Sequence, residues 1–250
     1  MMAAAGLPKL IVETDAEALA RAAAERVMAR IAANPGRIAI CLTGGSSPKR
    51  LYQLLGGDSW RDKIPWERVH WFIGDERFVP EGDPLNNMAV AREAFLDRSA
   101  PSGHIHPIPT TAENPDRSAE AYARELQSFY GEERLDPSRP LFDLVLMGAG
   151  PDGHTASLFP GYPALEETQR WVVGVPKANV APFVPRVSLT LPALASCREM
   201  LFEIAGHDKQ PILTRLFNGE NLPALRARSN GETVWLVDQA ALPEGIRGGR

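Results

Sequence analysis

Cysteine is nearly missing from this chain. Only Cys41 and Cys197 occur among 250 residues, and their separation fits no CxxC metal or redox motif. A disulfide-stapled secreted scaffold and a zinc ribbon are therefore excluded, and the pair reads as two reduced thiols of a cytoplasmic protein. An excess of one charge is missing too: 27 Lys plus Arg stand against 31 Asp plus Glu, a net charge of −4 with histidine neutral. That balance argues against a nucleic-acid or polyanion surface, although two or three local cations still suffice for a small phosphate. No apolar run approaches a membrane span. The opening Met1-Met2-Ala3-Ala4-Ala5-Gly6-Leu7-Pro8 has no charged stretch followed by an apolar one, so no secretory signal is read. HxxxH, GxSxG and GxxxxGK[ST] are all absent, which removes the usual signs of a zinc hydrolase, a serine hydrolase and a P-loop enzyme. No repeat, low-complexity tract or linker divides the chain.

What is present is an ordinary globular composition, 44% hydrophobic and 23% charged. Strand and helix patterns alternate from end to end. Ile38–Leu42 is a continuous apolar run, as a strand covered on both faces requires, Val69–Ile73 reads as the next strand and Phe142–Met147 as another buried one. Leu10–Val12, His106–Ile108, Trp171–Val175, Val187–Leu191, Met200–Ile204 and Val234–Val237 are further strand candidates. Helices are expected from an Asp15 cap to Ala33, and over Pro48–Leu55, Asn86–Leu96, Ser118–Phe129 and Lys209–Phe217. This alternation predicts one α/β domain over residues 1–250: an open, mostly parallel, Rossmann-like sheet with helices on both faces. Residues from about Ala240 to Arg250 are expected to form a loose tail. Ligands of such sheets bind at the carboxyl ends of the strands.

Three strand ends carry unusual residues. Thr43-Gly44-Gly45-Ser46-Ser47-Pro48 follows the first apolar run and opens into a helix. Its glycines, hydroxyls and helix N-terminus suit a phosphate, and taken alone they suit a serine-capped glycine turn equally well. Gly74-Asp75-Glu76-Arg77 follows the second run and places three charges where burial without partners would be costly. In the nearby Asn86-Asn87 pair, either residue can cap the next helix. Gly148-Ala149-Gly150-Pro151-Asp152-Gly153-His154 follows the third run. Its GxGxxG spelling lacks the acidic residue that a dinucleotide ribose needs at the end of the next strand, and Asp152 would repel a pyrophosphate. Asp152 and His154 read better as a pair, the carboxylate fixing one imidazole nitrogen and leaving the other as a base. His70, His104, His106 and His207 lack such surroundings. Asp75, Asp152 and His154 lack metal-site spacing, so no metal is expected, and water is the natural attacking species.

Taken together these segments resemble the 6-phosphogluconolactonases. Leu42–Pro48 with Leu51-Tyr52 is similar to a first family motif, Trp71–Pro80 with Asn87 to a second, Phe142–Pro160 to a third, and Pro185–Thr190 to a fourth, weaker one. Asn86 departs from the family, which more often has Ser there. The resemblance implies an open α/β sheet shared with glucosamine-6-phosphate deaminases and ribose-5-phosphate isomerases. It implies cofactor-free hydrolysis of 6-phospho-D-glucono-1,5-lactone in the oxidative pentose phosphate pathway, with a functional link to glucose-6-phosphate dehydrogenase. His154 becomes the base and Asp152 its orienter. Gly44, Gly45 and Ser46 become phosphate contacts, with Arg186 and Lys209 as cationic partners. Arg77 would serve the phosphate or the oxyanion, and Asp75 would lie against the substrate as the next candidate base. Two rivals differ in identifiable ways. A deaminase needs a carboxylate in the loop after Asp-Gly-His, where this chain has none before Glu166. A sugar-phosphate sensor of this fold needs a DNA-binding helix pair, which the N-terminal strand and single helix do not supply.

Overall fold

The computed structural model describes residues 8–245. In chain order the described strands and helices are β1 (Lys9–Glu13), α1 (Ala16–Ala33), β2 (Ile38–Leu42), α2 (Lys49–Gly56), α3 (Asp58–Arg61), β3 (Val69–Ile73), β4 (Asp75–Arg77), α4 (Asn87–Ala91), β5 (Ile105–His106), α5 (Pro115–Tyr130), β6 (Phe142–Met147), β7 (Val172–Val175), β8 (Arg186–Leu189), α6 (Leu191–Ala195), β9 (Cys197–Ile204), α7 (Gln210–Phe217), α8 (Pro223–Arg226) and β10 (Glu232–Asp238). Seven strands form one sheet in the order β1-β10-β9-β6-β2-β3-β5, and all of its pairings are parallel. Every residue of β2 and β6 is buried, Asp143 of β6 included, as expected of central strands covered on both faces. Asp15 caps α1 by accepting from the Ala18 N–H at 2.8 Å. Asn114 caps α5 in the same way, accepting from Arg117 N–H at 3.0 Å.

One feature departs from the expected single sheet. Strands β4, β8 and β7 form a separate antiparallel ribbon. Gly74 joins the two layers: its N–H donates to Leu42 O in the parallel sheet, and its carbonyl accepts from Leu189 N–H in the ribbon. The sequence reads Asp75–Arg77 as loop because three charges in a row carry no strand pattern. Pairing with Ser188, Val187 and Arg186 makes them a strand. The chain expected as a tail from Ala240 onward is packed at first, with Ala241 and Leu242 buried. Gln210 Nε2 donates to Ala240 O and Leu242 O, and residues 246–250 lie outside the described residues. Both cysteines are free and buried. Among the described residues no helix is long and apolar enough to cross a membrane.

Candidate active site

Each of the three unusual strand ends is held from behind by a buried group. Tyr52 of α2 reaches back to the strand end it follows: its hydroxyl donates to Thr43 O at 2.7 Å and accepts from Thr43 N–H at 3.1 Å. Tyr122 of α5 treats the end of β3 alike, with both Ile73 contacts at 3.1 Å. After β6, the Gly148 carbonyl accepts from Thr155 Oγ1 at 2.8 Å, and Gly150 N–H donates to His154 O, closing the turn that carries Asp152 and His154.

Those ends surround a cavity of about 330 Å³. Thr43 to Ser47 line one side. Gly148 to Pro151 with His154 line another, and Asp75, Arg77, Asn87, Ala156, Ala181, Arg186 and Lys209 complete it. The structure thus brings together Gly44, Gly45, Ser46, Asp75, Arg77, His154, Arg186 and Lys209, every lining residue expected from the sequence. Asp152 stands immediately behind them.

His154 donates from Nδ1 to Asp152 Oδ1 at 2.5 Å. The carboxylate can only accept, so Nδ1 carries a proton, and in the neutral ring Nε2 keeps its lone pair. No protein partner for Nε2 occurs among the described residues. Asp152 also accepts from the His154 N–H at 3.1 Å. Burial pushes its pKa up, but the hydrogen bond and the charge of His154 outweigh this and leave it below the ordinary carboxylate value. Asp152 therefore stays ionised and holds the ring. The imidazole packs against Gly150, where a Cβ would stand 2.0 Å from its Cε1, so only glycine leaves room for it.

The cations are distinctive because their hydrogen bonds go to backbone carbonyls. Lys209 Nζ donates to Ala149 O at 3.0 Å, Arg77 Nη1 to Leu85 O at 2.8 Å and Arg186 Nη2 to Pro182 O at 2.8 Å. None of the three forms an ion pair among the described residues. Arg77 and Arg186 face each other in the β4–β8 ribbon, an arrangement that repels unless an anion lies between like charges. Both Nε atoms are buried without a hydrogen-bond partner. Burial lowers the Arg186 pKa, Asp75 partly restores it, and Arg77 lowers it again. The lining carries three cations against the single carboxylate of Asp75, and Asp75 is occupied by Ser157 Oγ, which donates to it at 2.6 Å.

The GxGxxG spelling has no helix behind it, since the chain runs on from Gly153 through turns to the short helical turn at Pro163–Glu166. The two neighbouring asparagines divide their work. Asn86 caps α4 by accepting from Ala89 N–H, whereas Asn87 lines the cavity and donates from Nδ2 to Asp75 O at 3.0 Å. Asn87 belongs with the site, and the motif around Asp75 was its only signal in the sequence. Ala156, at φ 46°, is a second addition. Alanine there gives no sequence warning of a left-handed backbone. His104 and His106 both stack on His70 of β3, and none of the three lines the cavity. No group of three His, Cys, Asp or Glu side chains able to hold a metal ion occurs among the described residues.

A parallel α/β sheet whose strand ends carry a carboxylate-oriented imidazole and uncompensated cations defines an enzyme class built for a small anionic substrate. Comparison with known proteins narrows the class. Residues 14–235 match the family model described as glucosamine-6-phosphate isomerases/6-phosphogluconolactonase, and the chain belongs to that family. It is 39% identical to the 6-phosphogluconolactonase of Streptomyces coelicolor over 246 residues, covering 94% of this chain and 93% of the relative. It is 40% identical to that of Synechocystis over 214 residues, covering 84% and 85%. The crystal structure of Thermotoga maritima 6-phosphogluconolactonase superposes with a TM-score of 0.79 at 30% identity, covering 93% of this chain and all of that one. A monomeric glucosamine-6-phosphate deaminase shares the fold, with a TM-score of 0.78 at 18% identity over 93% of this chain and 98% of its own.

Proposed function

We propose that this chain hydrolyses 6-phospho-D-glucono-1,5-lactone to 6-phospho-D-gluconate, the lactone-opening step of the oxidative pentose phosphate pathway, using water activated by His154. The observation that carries this reading is an imidazole, fixed at Nδ1 by Asp152, in the wall of a cavity that three cations without ion pairs also line. The family membership and the near-full-length relatives support the same substrate.

A sugar δ-lactone is an activated ester, so the barrier lies in delivering water to C1 and in holding the tetrahedral oxyanion. His154 Nε2 takes a proton from water as the C1–O bond forms. The imidazolium is steadied by Asp152 and returns the proton to the ring oxygen as the C1–ring-oxygen bond breaks. Backbone N–H groups of the glycine-rich turn receive the oxyanion. Gly44, Gly45 and Ser46 take the phosphate together with Arg186 and Lys209. Arg77 faces Arg186 across the ribbon, so an anion drawn to one guanidinium is drawn to both, which favours the phosphate over the oxyanion as its partner. Asp75, engaged by Ser157, bears on the substrate as a fixed acceptor. Deamination of an amino sugar is disfavoured because Glu166, the first carboxylate after His154, is ion-paired with Arg226 and does not line the cavity. We place the activity in the cytoplasm, functionally coupled to the dehydrogenase that makes the lactone.

The test is direct. Purified protein should open the phosphorylated lactone well above its spontaneous rate, open unphosphorylated gluconolactone poorly, and release no ammonia from glucosamine 6-phosphate. Equal rates on the two lactones would remove the phosphate assignment, and ammonia release would replace the reaction.

A further inference from the structure

Glu76 takes no part in the chemistry described above, yet its carboxylate is among the most heavily bonded groups near the site. It is fully buried. Its Oε1 accepts from Arg77 N–H at 2.8 Å and from Asn87 N–H at 2.6 Å, and its Oε2 accepts from Met88 N–H at 2.9 Å. One side chain therefore ties β4 to the first turn of α4 across the loop 78–86. Two of its three donors are first-turn amides that have no partner within a helix.

The residue pinned most tightly is Asn87. Its side-chain amide rests on the glycine loop, and a Cβ built on Gly44 would stand 2.1 Å from Asn87 Oδ1. Its Nδ2 is anchored to Asp75 O. A continuous chain of contacts runs from the Glu76 carboxylate through the Asn87 backbone and amide to the Gly44 backbone. A bare Gly44 lets the loop settle against Asn87, so the height of Asn87 sets the height of the loop. The same carboxylate fixes the backbone of Arg77, whose guanidinium lines the cavity.

We propose that Glu76 is a positioning residue for phosphate recognition: it seats Asn87 under the Gly44-Gly45-Ser46 loop and Arg77 beside it, and so sets affinity for the phosphate of the substrate without touching it. This rests on the lactonase reading above. Three backbone donors converging on two oxygens need a carboxylate. In Glu76→Gln the volume is kept, but one end of the amide meets a backbone N–H donor to donor.

The experiment compares wild type, Glu76→Gln, Asn87→Ala and the double variant on the 6-phosphorylated lactone and on unphosphorylated gluconolactone. Glu76→Gln should raise KM for the phosphorylated lactone about tenfold, with kcat within about threefold and the KM for gluconolactone unchanged, and Asn87→Ala should raise KM for the phosphorylated lactone at least as far. The double variant should raise it by less than the product of the two single effects, because both act through one chain of contacts. An unchanged KM for the phosphorylated lactone, an equal rise on both lactones, or a fall confined to kcat would each overturn the proposal. If Glu76→Gln does not fold, Glu76→Asp decides by the same criteria, since it keeps the charge and draws the acceptor oxygens back by one methylene from the Asn87 and Met88 amides. If wild type fails to open the lactone, the lactonase reading falls, and calorimetric binding of inorganic phosphate decides the positioning role. About tenfold weaker binding in the variants supports that role, and wild-type affinity overturns it.

Discussion

The imidazole of His154 is fixed from two directions, by Asp152 at Nδ1 and by the bare backbone of Gly150 against its ring. General-base catalysis contributes about 10²–10⁴-fold. His154→Ala should therefore lose about that factor in kcat, with KM nearly unchanged, once spontaneous lactone opening is subtracted. Asp152→Asn keeps a side chain of the same shape, but its amide no longer stabilises an imidazolium, so it should lose somewhat less. Near-wild-type turnover in His154→Ala would transfer the base to Asp75. Gly150→Ala tests the second constraint. A methyl group 2.0 Å from Cε1 must displace the ring, and a misplacement on the order of 1 Å costs about 10²-fold. The expected result is a fall in kcat with thermal stability close to wild type, and unimpaired turnover would show that the ring has room.

The β4–β8 ribbon is the element that sets the charge of the cavity. It places Arg77 opposite Arg186 and buries both Nε atoms without a partner. Arg186→Ala should chiefly raise KM for the phosphorylated lactone, by about 1.5–3 kcal/mol of lost binding, which is about ten- to a hundredfold. Steady-state kinetics on both lactones checks this, since the KM for gluconolactone should not follow. The ribbon was also the least legible part of the fold. The patterns at Ile38–Leu42, Val69–Ile73 and Phe142–Met147 are those of buried parallel strands, and they match β2, β3 and β6 to the residue. Asp75–Arg77 has no apolar alternation, because its neighbours and its charges are satisfied only in three dimensions. Trp171–Val175 and Val187–Leu191 read correctly as strands, yet nothing in their composition says that they leave the main sheet.

The buried Glu203 and the partly buried His70 make the stability of the whole molecule depend on pH. Glu203, in β9, is fully buried, both of its oxygens lack hydrogen-bond partners, and burial pushes its pKa up from 4.5 to about 8. Between those values the folded chain keeps a proton that the unfolded chain releases, so stability falls as pH rises from about 4.5 to about 8. Glu203→Leu should remove that loss, worth on the order of a few kcal/mol, so its melting temperature should exceed wild type more at pH 8 than at pH 5. An equal difference at both pH values would show that Glu203 does not carry it. His70 works in the other direction. Burial, then the charges of His104, His106 and Arg37, lowers its pKa from 6.5 to about 4, so stability is lost as pH falls through that interval. Finally, turnover should survive exhaustive treatment with EDTA, since the donor spacing of the sequence and the side-chain clusters of the described residues offer no metal site. Activity lost to EDTA and restored by one divalent ion would overturn that expectation.

Hydrophobic periodicity is a local property, and it was enough to order the strands and helices and to direct attention to three strand ends. The glycines, hydroxyls, Asp152 and His154 were legible for the same reason, since the chemistry of each segment lies within a few consecutive residues. What tertiary structure alone decided involves partners far apart in the chain. Asp75 meets Ser157, Arg77 faces Arg186, and Asn87 settles on Gly44. Glu76 looked like one more charge in a loop until folding closed loop 78–86 and brought the Asn87 and Met88 amides to its carboxylate. Contacts of that kind depend on where the sheet and the ribbon bring the backbone, and no residue pattern in either segment records the meeting.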